Sequence, residues 1–439
     1  MSTQKQKRPF ALRALAAFAG TLAILFVLLL AAYALPGERV RQHVYDSART
    51  IQNEGLYPEY LGFKLFQMDN YTDTLMLFEA ASADELPPLQ AMMTNTAYNV
   101  DNFETLADDL AWYIEKDWST GAQRTDAPAL EPFSYARYWH GYLIWLRPLL
   151  LLMPYTGVRI VQYIVLFALL AVVLVQLRRR CGLRAAVWFA VSQLAVSVWF
   201  VPHQVQYFTC FMIAYAGCAW VLAKPRRSDV LCLGLLVLGT ATAFCDLLVT
   251  PIITLGLPLT CWLLEPQQRL RGGVPQCALA VGGSLCWGTG YALCWAGKWA
   301  LAGAVTNNNV LADALHQAEV RTTADTWHGM ELTWRNIFIF LYDTLNSHHL
   351  FWPALAVLAV LIALFILSIR SKTALVRALP LALTTCMTPA WFVLLRTHSI
   401  QHGWFTWRAL GLTVFAGLAF LYYACDLRAA RRRLQKGSI

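Results

Sequence analysis

Apolar residues run along this chain in blocks long enough to cross a bilayer, and short polar stretches break the blocks apart. A continuous apolar stretch of about 17 to 25 residues matches the hydrocarbon thickness when coiled as a helix. On that criterion the pattern predicts spans at 14–35, 157–177, 185–201, 205–223, 230–246, 247–264, 276–302, 350–369, 376–395 and 404–425. The predicted fold class is therefore an all-α polytopic membrane protein with about ten transmembrane helices. The apolar stretch 141–154 is short, carries Arg147 and ends at Pro154, so it reads as an amphipathic helix lying on the membrane surface. Two segments, 37–155 and 303–349, are too long for plain connectors and are expected to hold helices of their own. In the second, Trp334, Ile337, Phe338 and Tyr342 recur at helical spacing.

Basic residues orient this plan. Lys5, Lys7 and Arg8 precede the first span; Arg178 to Arg180 and Arg184 follow the second; Lys224, Arg226 and Arg227 follow the fourth. Arg269 and Arg271 follow the sixth span, Arg370, Lys372 and Arg377 the eighth, and Arg428 with Arg431 to Arg433 close the chain. Every second connection is basic, which the positive-inside rule places in the cytoplasm. The expected organisation is then a cytoplasmic N-terminus and first helix (1–36), a first outer loop with interfacial helices (37–155) and spans two to seven (156–302). A second outer loop (303–349), the last three spans (350–425) and a basic cytoplasmic tail (426–439) complete it. Ala32-Tyr33-Ala34 mimics a signal-peptidase site, but the apolar stretch before it has the length of an uncleaved anchor. The expected location is the plasma membrane.

Composition agrees. Of 439 residues, 58% are hydrophobic and 14% charged, where soluble domains carry about a quarter charged residues. Disordered, collagen-like and disulfide-scaffold classes are excluded. The formal charge of +9 is mostly the topology signal, so no nucleic-acid partner is expected. None of the 11 cysteines precedes Cys181 and no CxxC pair occurs, so neither a disulfide framework, a metal site nor a cofactor is expected.

The ionisable residues within the spans are few: Arg159, Asp246, Lys298 and Arg408, each near an outer end, with His203, Arg396, His398 and His402 in outer connections. Transporters place coupling groups near the midplane. Polar chemistry gathered at the outer interface suits an enzyme acting on a lipid head group, although interfacial Arg and His also snorkel to head groups with no further role. In Met68-Asp69-Asn70-Tyr71-Thr72-Asp73 two carboxylates stand at i and i+4, which puts them on one face if the segment is helical. Like charges so placed raise one pKa and suit a general base; the competing reading is an Asp helix cap followed by a solvated acid. Arg137 and His140, among the aromatics of Ser134 to Tyr142, read either as an interface belt or as a grip on a lipid phosphate. Asp246 occupies a tight turn, a common capping position. His398 and His402 form an i, i+4 pair with no acidic third ligand nearby, so no metal is expected. Arg408, one turn inside the last span, needs a partner, with Asp69, Asp246 or a lipid phosphate as candidates.

The layout resembles that of the C-type membrane glycosyltransferases (GT-C), which take sugars from polyprenyl-phosphate donors. It shares a first span, a long outer loop with an early acid, an interfacial helix after His140 ending near Pro154, and a span finishing in Arg178-Arg179-Arg180. Similar segments to Asp69–Asp73, Arg137–Tyr142, Asp246–Pro251 and His402–Arg408 occur in bacterial multi-pass members of that kind. In the superfamily the acid follows the first span closely, often in a paired motif; here Asp46 is the closer acid and no Asp-x-Asp pair occurs. The resemblance implies inverting sugar transfer to a glycan, lipid or protein acceptor at the outer face. Asp69 would serve as base with Asp73 in support, while Arg137, His140, Asp246, His398, His402 and Arg408 bind the lipid phosphate. The other classes compatible with the pattern are a transporter or flippase of a lipid-linked saccharide and a non-catalytic scaffold.

Overall fold

The structure is a computed structural model, which describes residues 9–83, 85–98, 132–269, 273–323 and 336–426, with Arg428 and isolated positions between 326 and 333. The stretch 99–131, Trp334 and the basic residues at either terminus lie outside the described residues. Among the described residues the regular structure is helical apart from two short antiparallel strand pairs. Among the described residues eight helices are long and apolar enough to cross a membrane: α1 (Phe10–Tyr33), α6 (Tyr155–Cys181), α8 (Val205–Ala223), α9 (Ser228–Cys245), α11 (Gly273–Thr306), α14 (Phe351–Ser368), α15 (Lys372–Leu394) and α17 (Gly403–Ala424). This is an all-α polytopic membrane protein.

Two of the ten predicted spans are shorter than the pattern implied. The 185–201 block forms α7 (Leu183–Ala195), then breaks at Ser197, whose φ is +57°, and continues as a 3-10 turn over Val198–His203. The 247–264 block forms α10 (Ile252–Leu263) only, because Asp246 opens a turn that runs through Leu248, at φ +67°. Twelve residues rise about 18 Å, well short of the hydrocarbon core. Every residue of α10 is buried, so its ends meet protein rather than lipid, and irregular backbone is tolerated there. By contrast Leu355, Val357, Leu358, Leu361 and Ile362 of α14 are exposed, as expected of a lipid-facing helix.

Between α1 and α6 lie α2 (Glu38–Glu54), α3 (Asn70–Ser82), α4 (Pro88–Thr94) and α5 (Leu143–Leu150), and β1 (Thr96–Tyr98) pairs antiparallel with β2 (Pro132–Ser134). In α2, Val40, Val44, Ala48 and Ile51 recur at helical spacing and form one buried stripe against α3 and α5. The apolar stretch 141–154 is helical over part of its length. Its helical part, α5, is tucked against α1, and Arg147 is fully buried, donating to the carbonyls of Tyr33 (3.4 Å) and Leu35 (2.9 Å). A buried arginine answered by carbonyls is what a short apolar helix carrying one charge needs once it is covered.

Helices α9 and α11 pack through a reciprocal close approach. A Cβ on Gly239 would overlap the Trp287 carbonyl, and one on Gly290 would overlap that of Leu236. The bundle has two chemically distinct ends. One carries Arg13–Asp229, Arg180–Glu265 and the stacking of Arg184 on Tyr422 and Arg269 on Tyr423. The other carries α2 to α5 and the second long segment, with α12 (Val310–Thr323), α13 (Ile339–Ser347) and α16 (Arg396–Gln401).

Candidate functional site

Asp69 is the N-cap of α3, accepting from the Thr72 backbone N–H (3.0 Å) and the Thr72 hydroxyl (2.9 Å). It therefore precedes the helix, and the two acids do not form a helical i, i+4 face. Asp73 turns away from Asp69's surroundings toward α8. It accepts from the Tyr155 hydroxyl and from the backbone N–H groups of Val205 (3.2 Å) and Gln206 (3.4 Å), capping a second helix from outside. Burial raises both carboxyls: Asp73 is pushed up to about 7, and at Asp69 burial outweighs the hydrogen bonds from Gln206 and Thr72. Asp69 alone of the pair faces a cavity.

That cavity holds about 210 Å³ and is lined by Asp69, Glu79, Tyr135, Tyr142, His402 and Trp404 among others. Glu79, on α3, is its second acid and lies outside the sequence-based set. Glu79 Oε2 accepts from the Tyr142 hydroxyl and lies 2.6 Å from His140 Nδ1; Oε1 accepts from Asn95 Nδ2 (2.9 Å) and the Tyr33 hydroxyl (3.3 Å). Asn95 Oδ1 in turn accepts from Lys298 Nζ (2.5 Å). His140 thus holds a carboxylate, and its other nitrogen faces the Tyr135 carbonyl (3.1 Å), so it is committed within the protein rather than free to grip a phosphate. The backbone enters this network because Gly141 packs on Phe244, where a Cβ would collide, and donates to its carbonyl (2.8 Å). Trp139 stacks on the Phe244 ring with centroids 4.7 Å apart.

A second compartment, about 120 Å³, adjoins the first. Arg137, Arg321, Tyr138, Trp295, Trp299 and Trp391 are among its walls. Arg137 lies over Tyr135 (4.5 Å to the centroid) and reaches Asp313 (3.3 Å); Arg321 donates to the Tyr138 hydroxyl. The partition between the compartments is made of residues close in sequence that face opposite ways. Tyr135 and Leu247 line the acidic side, Tyr138 and Leu248 the arginine side. Asp246 builds that partition, accepting from the Val249 N–H (3.1 and 3.2 Å); it lines neither space and acts as the turn cap.

His398 Nε2 donates to the Leu248 carbonyl (2.9 Å), and its ring lies 4.7 Å from that of His402, which reaches the acidic cavity. Burial, with help from the Arg321 charge, holds both imidazoles below their usual range, His402 at about 4. At neutral pH they are uncharged hydrogen-bonding groups, not phosphate cations. Arg408 is fully buried, over the rings of Tyr207 (4.5 Å) and Trp407 (5.3 Å), and donates to the carbonyls of Trp404 (3.1 Å) and Gln67 (3.5 Å). Aromatic faces and carbonyls stand where a phosphate or carboxylate was expected. It braces both chain segments that flank Asp69.

Of the eight candidate residues, the structure brings Asp69, His402 and Arg137 to the walls of the two compartments and sets Asp73, Asp246, His398 and Arg408 behind them; His140 acts through Glu79. Glu79 and Arg321 were missed. The signal for Glu79 was a lone acid inside the apolar run Leu75–Ala83; Arg321, on a polar helix, had none. Among the described residues no three His, Cys, Asp or Glu side chains come together as a metal ion would need. The chain matches no protein-family model, no curated protein and no solved structure.

Proposed function

We propose that this protein is an inverting membrane glycosyltransferase, moving a sugar from a polyprenyl-phosphate donor to an acceptor hydroxyl on the outer face. The observation that carries the reading is the pair of adjoining compartments, one presenting a buried carboxylate and the other two arginines among tryptophans. Asp69 takes the acceptor proton, and its raised pKa makes it a better base near neutral pH. As the acceptor oxygen bonds to the anomeric carbon, the bond from that carbon to the phosphate oxygen breaks. Arg321 and Arg137 hold the departing phosphate, and the tryptophans lie along the prenyl chain. Asp73 serves the scaffold in this scheme.

The test is transfer from a panel of radiolabelled polyprenyl-phosphate sugars by purified protein in nanodiscs. Transfer from one donor that is lost in Asp69→Asn and Arg321→Ala is the expected result; no transfer from any donor would sink the reading. Cysteines at positions 182 and 320 test its sidedness: 182 is expected to label only from the cytoplasm, 320 only from outside. A second reading, export of a lipid-linked saccharide, draws on α10, a short buried helix entered through irregular backbone. It requires flux across sealed vesicles with no acceptor present.

A further inference from the structure

At the opposite end of the bundle a polar cavity of about 340 Å³ opens between α10, α11, α15 and α17. Arg269, Arg370 and Arg377 stand in its wall and no carboxylate does. Thr373 adds the first turn of α15, a helix of 23 residues whose N-terminus carries partial positive charge. Two polar atoms here are buried without a partner: the Arg269 Nε and the Gln276 Oε1. Gln276 is 3% exposed, its amide nitrogen spent on Gln268 (3.1 Å), so its oxygen is left as an acceptor at the cavity wall. Beside this cavity runs a groove of about 460 Å³ between α14 and α17, lined by the apolar Leu361, Phe365, Leu421 and Tyr422 and also by Arg370, Arg428 and the carboxylate of Asp426. Arg370 lines both spaces, and Leu361 is exposed on the lipid-facing side.

We propose that these two spaces form a binding site for one anionic glycerophospholipid with a hydroxylated head group. Its phosphate lies among the three arginines and the α15 N-terminus, a head-group hydroxyl donates to Gln276 Oε1, and its acyl chains follow the Leu361–Leu421 groove. Charge selects the occupant: a zwitterionic head group would bring its own cation among three guanidinium groups. Continuity with the apolar side chains of the groove favours a lipid over a free anion. The proposal stands apart from the transferase reading, since none of these residues lines its compartments.

The experiment uses the full-length protein, delipidated in neutral detergent, titrated with phosphatidylglycerol or phosphatidylcholine and followed by native mass spectrometry and thermal unfolding. Phosphatidylglycerol is expected to bind in a 1:1 complex and raise Tm, with phosphatidylcholine far weaker. An arginine near a lipid surface is worth about fivefold in affinity, so Arg377→Gln, at an exposed position, should weaken binding about that much. Arg269→Gln combined with Arg377→Gln should weaken it on the order of 10- to 30-fold. Arg226→Gln with Arg227→Gln, at another basic connection, should leave it unchanged. Equal response to both lipids, equal loss in the Arg226/Arg227 variant, or retained binding in Arg377→Gln would overturn the site. The same Tm gain from inorganic phosphate or glycerol 3-phosphate would overturn the lipid as its occupant.

Discussion

The two ends of the bundle use charge in opposite ways. Where Asp69 lies, charges are buried or half-buried and answered: Glu79 by His140, half-buried Glu54 by a two-point contact with Arg159 (2.5 and 2.8 Å), Lys298 by Asn95. At the basic end the arginines are half exposed or exposed; Arg13 and Arg180 pair with Asp229 and Glu265, while others rest on aromatic rings, Arg184 on Tyr422 and Arg226 on Trp220. Counting residues treats the two sets alike. Burial separates them, because a desolvated charge needs hydrogen-bonding, aromatic or charged partners, whereas an exposed one orients the chain and contributes little to stability.

The largest effect expected from this contrast is kinetic. If Asp69 is the base, Asp69→Asn should lower transfer on the order of 10² to 10⁴-fold while donor binding and folding persist. Asn can still accept from the Thr72 N–H, so the cap survives. Near-normal turnover would end the assignment, and loss of donor binding with intact folding would recast Asp69 as a binding group. Next is Glu79→Ala. Removing that carboxylate strands His140, Tyr142, Tyr33 and Asn95 in a buried site, and breaking a buried pair costs about 3 to 5 kcal/mol. Denaturation in detergent measures it; a loss under about 1 kcal/mol would show that water already serves these groups.

Much of the architecture was legible because hydrophobic runs and basic connections are summed signals, carried by dozens of residues. The short helices were not. Their blocks are as apolar as the others, and what breaks them is local: a positive φ at Ser197 and a turn capped by Asp246. The site was legible only in part. Asp69 stands out in a polar motif, but its partner acid is Glu79, ten residues along the chain and brought in by α3. Asp73 lies closer in sequence yet is turned onto α8. Spacing along one helix could not show that, since the choice depends on where α8 begins. His398, His402 and Arg408 were recognised as unusual, but burial decides whether such a group is a cation, and burial is a property of the whole bundle.

The pH dependence of stability sharpens the comparison further. At Asp73 the folded pKa is raised to about 7, so its contribution is fully present below the unfolded value and is lost as pH rises from about 4 through 7. His402 has the opposite sign: its folded pKa is lowered to about 4, so its contribution is present above about 6.5 and lost as pH falls through 4. Glu54 acts lower still. Burial works against it, but hydrogen bonds from His203 and Arg159 hold it at about 2, so its contribution is present above about 4.5 and lost as pH falls from there through about 2. Over pH 4 to 6.5 the first two oppose each other and the wild-type curve should be shallow. Tm recorded at half-unit steps separates them: relative to wild type, Asp73→Asn should gain stability as pH rises from 4 to 7, and His402→Gln should lose it. A Tm difference independent of pH in Asp73→Asn would mean the carboxyl is already ionised in the fold.

The smallest effect belongs to the basic end, and it tests the contrast most directly. Arg184 is exposed, donates to the Tyr422 hydroxyl and lies 5.0 Å from that ring's centroid. An exposed cation on an aromatic face contributes about 0.5 to 1 kcal/mol, and salt and the entropy of a long side chain reduce that further. Arg184→Ala should therefore change unfolding free energy by less than about 1 kcal/mol, with the difference shrinking at high salt. Arg159→Ala, at the other end, uncovers Glu54 beside Tyr155 and should cost several-fold more, with little salt dependence because the pair is largely shielded. Measured side by side in one detergent, the two variants share a guanidinium above a tyrosine and differ in burial and in the Glu54 carboxylate that Arg159 pairs with. Equal losses would mean that the ring contact, and not desolvation, sets the worth of these arginines, and the distinction between the two ends would fall with it.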